Sequence, residues 1–158
     1  MATPLEHFEK AKFKYDVAFH LLKVTFPLVN DPRLLIGVIG NLSESLEALI
    51  DTLIEHERTN EPSSRNSLDF AGKFNLFRNK IMPKYHLSLE IIGLITQVRR
   101  IIDFHTKSSI EFQRGGKMVL CQADYREMEL ISSKDVEHFR EQTRQVLQIT
   151  GEILNRKT

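Results

Sequence analysis

Apolar residues along this chain recur at intervals of three and four, the period of an amphipathic helix, over most of its length. Thr3-Pro4-Leu5-Glu6 opens the first such segment with a cap residue, a proline at the first helical position and a capping-box glutamate. Leu5, Phe8, Lys12, Tyr15, Phe19, Leu22 and Phe26 then mark one stripe, which Pro27 and the Asn30-Asp31-Pro32 turn bring to an end. Asp31-Pro32 repeats the start signal for a second stripe of Leu35, Val38, Ile39, Leu42, Leu46, Leu49 and Leu53, running to about Arg58. A polar stretch rich in Ser and Pro follows, so a mobile loop is predicted over about 59–68.

Phe70, Phe74, Phe77 and Ile81 predict a shorter helix that stops near Pro83, and Ser88 is placed to cap the next, with Ile91, Ile95, Val98 and Ile102 inward. Beyond His105 the period changes. Ser108, Ser109 and Gly115-Gly116 read as loop, and 117–122 with 126–131 read as a short hairpin in which Met128 and Leu130 face inward. Ser132 or Ser133 caps a last helix carrying Val136, Phe139, Val146, Ile149 and Ile153. No internal repeat of 20–50 residues is evident. The pattern predicts an all-α fold, a five-helix antiparallel bundle with a short β-hairpin before the last helix, as a single domain over 1–158.

Charge alters this picture in one respect. The net charge is only +1, but 1–64 carries −4, 65–117 carries +6 and 118–158 carries −1. The basic middle segment is suited to steering an anion, nucleic acid included, unless folding interleaves it with the acidic first third. One cysteine, Cys121, excludes an internal disulfide and a cysteine-based zinc site. No apolar run reaches membrane-spanning length, and no basic-then-apolar leader opens the chain. The expectation is a cytoplasmic protein without membrane contact.

Most chemical motifs are missing. There is no phosphate-binding P-loop, and no histidine has a glutamate three residues before it, as a paired-carboxylate metal bundle requires. Asp135 and His138 have that spacing in a single copy, and Asp16 with His20 reads as a local pair on the helix surface. Cys121 reads as a small buried residue. No metal site and no cofactor are predicted.

The segment Arg99-Arg100-Ile101-Ile102-Asp103-Phe104-His105 is different. An arginine followed after four to six residues by a histidine, late in a helical bundle, resembles the HEPN superfamily, as does the Leu/Ala-rich helix around Asn41–Leu49. The resemblance implies a metal-independent endoribonuclease acting as a homodimer. His105 would be the general acid/base and Arg99 or Arg100 the phosphate clamp, with Lys107, Arg114 and Lys117 contacting RNA. The residue types suit that chemistry: imidazole moves protons near neutral pH, and guanidinium grips phosphate oxygens in pairs. On a regular helix, however, His105 lies about 120° from Arg99 and about 140° from Arg100. A catalytic pair therefore requires a break near Phe104 or a composite site across a two-fold axis. The alternative is a non-catalytic HEPN-like module that binds RNA, a nucleotide or a protein partner. For relatives of this fold, such a partner is known to be a small nucleotidyltransferase. In that case Arg99 pairs with Asp103 and His105 is a residue at the core edge.

Overall fold

The computed structural model of the protein describes residues 2–60, 68–108, 110–122 and 126–156. Residues 61–67, most of the predicted loop, and the hairpin connection at 123–125 lie outside the described residues. The fold is mainly α. Its helices are α1 (Pro4–His20), α2 (Phe26–Val29), α3 (Leu34–Asn60), α4 (Phe70–Leu76), α5 (Met82–Tyr85), α6 (Glu90–Lys107) and α7 (Ser133–Asn155). One-turn π-helices at Leu21–Thr25 and Phe77–Ile81 splice α1 to α2 and α4 to α5, so the described residues form five helical runs, as the stripes predict.

Each π-turn has a proline behind it. Pro27 and Pro83 lack an N–H, and in an α-helix their rings would strike the carbonyls of Lys23 and Asn79. The wider turn removes the clash, with the Phe26 N–H donating to Leu21 O and the Met82 N–H to Phe77 O. Both runs then end on a left-handed residue, Asn30 at φ 57° and His86 at φ 53°. These features stand 56 residues apart, and the next helices keep the same offset, α3 from Leu34 and α6 from Glu90. Leu35-Ile36-Gly37-Val38-Ile39 and Ile91-Ile92-Gly93-Leu94-Ile95 match in the same register. The chain thus contains two related helix–π–helix–turn–helix units, whose offset is longer than the repeat window considered above.

Helix α3 is the axis of the fold. Leu35, Val38, Ile39, Leu42, Leu46, Leu49 and Leu53 are all buried as predicted, and Ala48, Ile50 and Ile54 are buried too, so the helix is enclosed on several sides. The stripe of α1 matches the prediction in part: Tyr15 and Leu22 are buried, and Phe8 and Phe26 pack against the core. Ala11 and Ala18 are buried as well, whereas Leu5 and Phe19 are 61% and 42% exposed. Close approach explains the change: α1 lies against α3 through its small residues, and the Ser45 hydroxyl donates to Ala11 O at 2.8 Å. Helix α7 closes the bundle, its start fixed by a full capping box between Ser132 and Asp135.

The β-region has one strand more than predicted. Strands β1 (Ile110–Arg114), β2 (Lys117–Cys121) and β3 (Met128–Ile131) form an antiparallel sheet in that order. Gly115 and Gly116, at φ 58° and 76°, make the two-residue turn between β1 and β2. Met118, Leu120 and Ile131 face the helical core, so β3 is turned the other way from the prediction, with Met128 and Leu130 half exposed.

A charged cluster locks α1 to α7. Arg140, 8% exposed, donates from its guanidinium to the Tyr15 hydroxyl at 2.8 Å and makes two bonds to Glu137, at 2.6 and 3.1 Å. Lys23 adds a contact to Glu137 at 2.6 Å. Hydrogen bonds from Arg140, supported by Lys23, hold the Glu137 carboxyl down at about 2. A carboxylate with a depressed pKa stabilises the fold above its unfolded value, near 4.5, and loses that contribution as pH falls through about 2. Urea denaturation therefore finds Glu137→Gln less stable than wild type at pH 7, with the gap closing between about pH 4.5 and 2. A gap that does not change over this range would contradict the assignment.

Candidate functional site

Helix α6 positions every residue of the Arg/His motif. It starts where the Ser88 hydroxyl accepts from the Glu90 N–H at 3.2 Å, and it runs unbroken to Lys107. Ile91, Leu94, Ile95, Val98, Ile101 and Phe104 are buried and hold one side of it on the core. There is no break at Phe104, so the motif side chains leave the axis at 100° per residue. Taking Arg100 as zero, His105 points to about +140° and Arg99 to about −100°, on opposite sides.

Between Arg100 and His105 on this wheel lie Phe104 and Ile101, and the sheet docks over that face. Glu111, Leu120 and Glu129 form one cross-strand row, with Leu120 fully buried at its centre. At one end Glu111 Oε1 lies 2.6 Å from His105 Nδ1; at the other Glu129 Oε2 lies 3.4 Å from Arg100 Nη2. The Ser108 hydroxyl, 2.9 Å from the carbonyl oxygens of both Ile110 and Cys121, ties the end of α6 to the same strands. Arg100 and His105 thus hold the two edges of a docked sheet.

The other arc of α6, from Ile95 through Arg99, Asp103, Thr96 and Lys107 to Arg100 and Phe104, opens on a cleft of about 560 Å³. Phe70 and Phe74 of α4 form the opposite wall, and Gln122 and Glu127 of the β2–β3 region close one side. The Phe70 and Phe74 rings stack with centroids 5.9 Å apart, and the Arg99 guanidinium lies 3.4 Å from the centroid of Phe70. Asp69 accepts from the Gly72 N–H at 2.8 Å, capping α4 so that the helix begins at Phe70 and leaves its first ring at the cleft. Behind it, α5 is fixed to α3 through Glu57, which accepts from Lys84 at 2.8 Å and from Tyr85. Burial, then the Glu57 bond, pushes the Tyr85 phenol up to about 12.

The predicted site residues therefore fall into three groups. Arg99, Arg100 and Lys107 line the cleft; His105 is half exposed and turned onto Glu111. Arg114 and Lys117 are cross-strand partners at the tip of the β1–β2 hairpin, outside the cleft lining. Asp103, expected to pair with Arg99, shares the cleft with it instead. The sequence reading missed Phe70 and Phe74, assigned there to core, along with Glu111 and Glu129. An angular plot of α6 and the Asp69 cap signal would have exposed the first pair; the alternation of Glu127 and Glu129 with Met128 and Leu130 carried a signal for Glu129, and none pointed to Glu111, whose strand was not predicted. Among the described residues, no three His, Cys, Asp or Glu side chains gather as metal ligands would, and no helix is long and apolar enough to cross a membrane.

No family model, curated protein or solved structure matches this chain. The geometry alone carries the functional argument.

Chemically, the cleft offers cations above an aromatic wall, a setting that binds anions carrying apolar or planar groups. His105, by contrast, serves the sheet. Because that pair is partly solvated, its coupling is small, and apolar burial holds the sheet in place. A His105→Ala/Glu111→Ala double-mutant cycle is expected to give less than about 1 kcal/mol, against about 2–5 kcal/mol for Leu120→Ala, both from urea unfolding. A coupling larger than the Leu120→Ala loss would reverse this account.

Proposed function

We propose that the chain is a non-catalytic helical interaction module, of the HEPN-like type that its α6 motif resembles, whose working surface is the cleft between α4 and α6. One observation carries the reading: Arg99, Arg100 and Lys107 share an aromatic-walled cleft from which His105 is absent. A metal-independent ribonuclease needs imidazole and guanidinium at one phosphate, to move the 2′-OH proton and to stabilise the developing phosphorane charge. Within one copy, the unbroken helix separates those groups. A binding module needs only the cations and the apolar wall. Arg99 and Lys107 have no carboxylate partner among the described residues, so an incoming anion displaces no ion pair at either.

A second reading has an observation of its own. His105 is held at Nδ1 by a carboxylate and remains 41% exposed, the arrangement in which the other ring nitrogen exchanges protons with a substrate. If His105 of one copy faces Arg99 and Arg100 of another, a homodimer regains the nuclease site.

RNA cleavage with EDTA present separates the two. The module reading expects wild type, His105→Ala and Arg99→Ala/Arg100→Ala to leave a labelled RNA equally intact over hours. Wild-type cleavage that both variants abolish would overturn it in favour of the homodimeric endoribonuclease.

A further inference from the structure

The two related units finish their first helical runs on the same backbone plan but with different side chains. In the second, Lys84 and Tyr85 precede the left-handed His86, and both bond to Glu57 of α3. The 56-residue offset makes Leu28 and Val29 their counterparts before Asn30, and these face solvent. Leu28, 82% exposed, is the most exposed large apolar residue among those described. Val24, one turn earlier, and Pro27 are exposed as well. None of the four packs on the core, so this end of the run is apolar without serving the fold.

Unpaired cations surround it. The sheet seated on α6 carries its β1–β2 hairpin to the α2–α3 turn, where Gln113 Nε2 donates to Asp31 Oδ1 at 2.8 Å. Arg114 pairs across the hairpin with Lys117, and the neighbouring Met118 pairs with Ile131, just before α7. Lys23 Nζ, 2.6 Å from Glu137 Oε2, sets the first π-turn against α7, and Lys134 stands one turn before Glu137 on the same face. Arg114, Lys117 and Lys134 are exposed and have no carboxylate partner among the described residues. The carboxylates nearby are engaged: Asp31 by Arg33, Glu111 by His105, Asp135 by the Ser132 N–H, and Glu137 by Arg140 and Lys23.

The residues outside the description attach elsewhere. Segment 61–67 is tied to Asn60, about 40 Å along α3 from Leu34, and to Leu68, beside Asp51 and Ile54. Seven residues held at both ends extend no more than about 15 Å from their anchors. Residues 123–125 join the ends of β2 and β3 away from the hairpin tip.

We infer that this end of the bundle docks on an anionic membrane surface, with Leu28 and Val29 inserted at the interface and Arg114, Lys117 and Lys134 on the lipid headgroups. The inference rests on the docked sheet and not on the cleft. Burying an exposed leucine favours the apolar phase by roughly tenfold, and each cation near an anionic leaflet adds roughly fivefold. The combination holds where either signal alone is marginal. Protein interfaces draw their affinity chiefly from Trp, Tyr and Arg, whereas the inserted side chains here are aliphatic. RNA would use the cations and leave Leu28 and Val29 in water. Surface contact needs no spanning helix, and it departs from the expectation of no membrane contact, which rested on the lack of a long apolar run.

The test is co-sedimentation of the full chain with vesicles of phosphatidylcholine alone or with about 30% phosphatidylserine, beside fluorescence anisotropy on a short labelled single-stranded RNA. Binding to the anionic vesicles is expected to be at least tenfold tighter than to the neutral ones. Leu28→Ser/Val29→Ser, which adds no charge and changes only exposed positions, and Lys117→Glu/Lys134→Glu each weaken it at least tenfold. Leu89→Ser, at a leucine 79% exposed near the start of α6, leaves it unchanged. Equal binding to both vesicles, no binding to either, or a Leu28→Ser/Val29→Ser loss no greater than that of Leu89→Ser overturns the proposal. RNA binding that Lys117→Glu/Lys134→Glu abolishes, without vesicle binding, also overturns it and assigns the surface to nucleic acid.

Discussion

Everything proposed for this protein depends on α6 remaining a regular helix through its last turn. Regular geometry sends Arg99 and Arg100 toward the cleft and His105 toward the sheet, and the packing enforces it, because Ile101 and Phe104 must both stay buried. A kink that brought His105 to Arg99 would turn one of those side chains out and lift Leu120 from its seat. The helix is therefore held from two sides, by the core and by the docked sheet. The arginine and histidine of the motif meet the two ends of a row of sheet residues, Glu111–Leu120–Glu129, which burial of Leu120 holds in place.

The cleft arises from how the chain reuses one architectural unit. Two prolines, each forcing a π-turn, and two left-handed caps set up equivalent reversals before α3 and α6. In the first unit the leading helix is long enough to cover its partner. In the second, Asp69 caps α4 at Phe70, whose ring lines the cleft with Phe74 and the cations of α6. At two matched positions of α3 and α6 the charge reverses, Glu44 to Arg100 and Asp51 to Lys107, while Glu47 and Asp103 keep the same sign.

The helical content was legible because its period is strong. The stripes on α3 and α7 and the Thr3 and Ser132 caps follow from local rules, whereas Pro27, expected to help end the first helix, is carried through by a π-turn and the run ends at Asn30. What was not legible depended on tertiary contact. The α1 stripe was partly displaced because Ala11 and Ala18, weak signals in a hydrophobicity pattern, permit closer approach than Leu5 or Phe19. Strand β1 was overlooked because the residues on its core-side face, Glu111 and Gln113, are polar and exposed and make sense only beside His105 and Asp31. Arg99, Arg100 and His105 were read as one constellation because spacing along a sequence carries no direction around a helix; plotting the angles already separated them. Phe70 and Phe74 had the right period for core, and only their position next to the Asp69 cap distinguishes wall from interior.

The most direct test of this account is an isotope-filtered NOESY spectrum that separates contacts within one copy from contacts between copies. The account predicts cross-peaks from the His105 ring to the Glu111 side chain, and from the Arg99 side chain to the Phe70 ring, all within one copy. Cross-peaks from the His105 ring to Arg99 or Arg100, within a copy or between two, would contradict it and restore a single reactive centre.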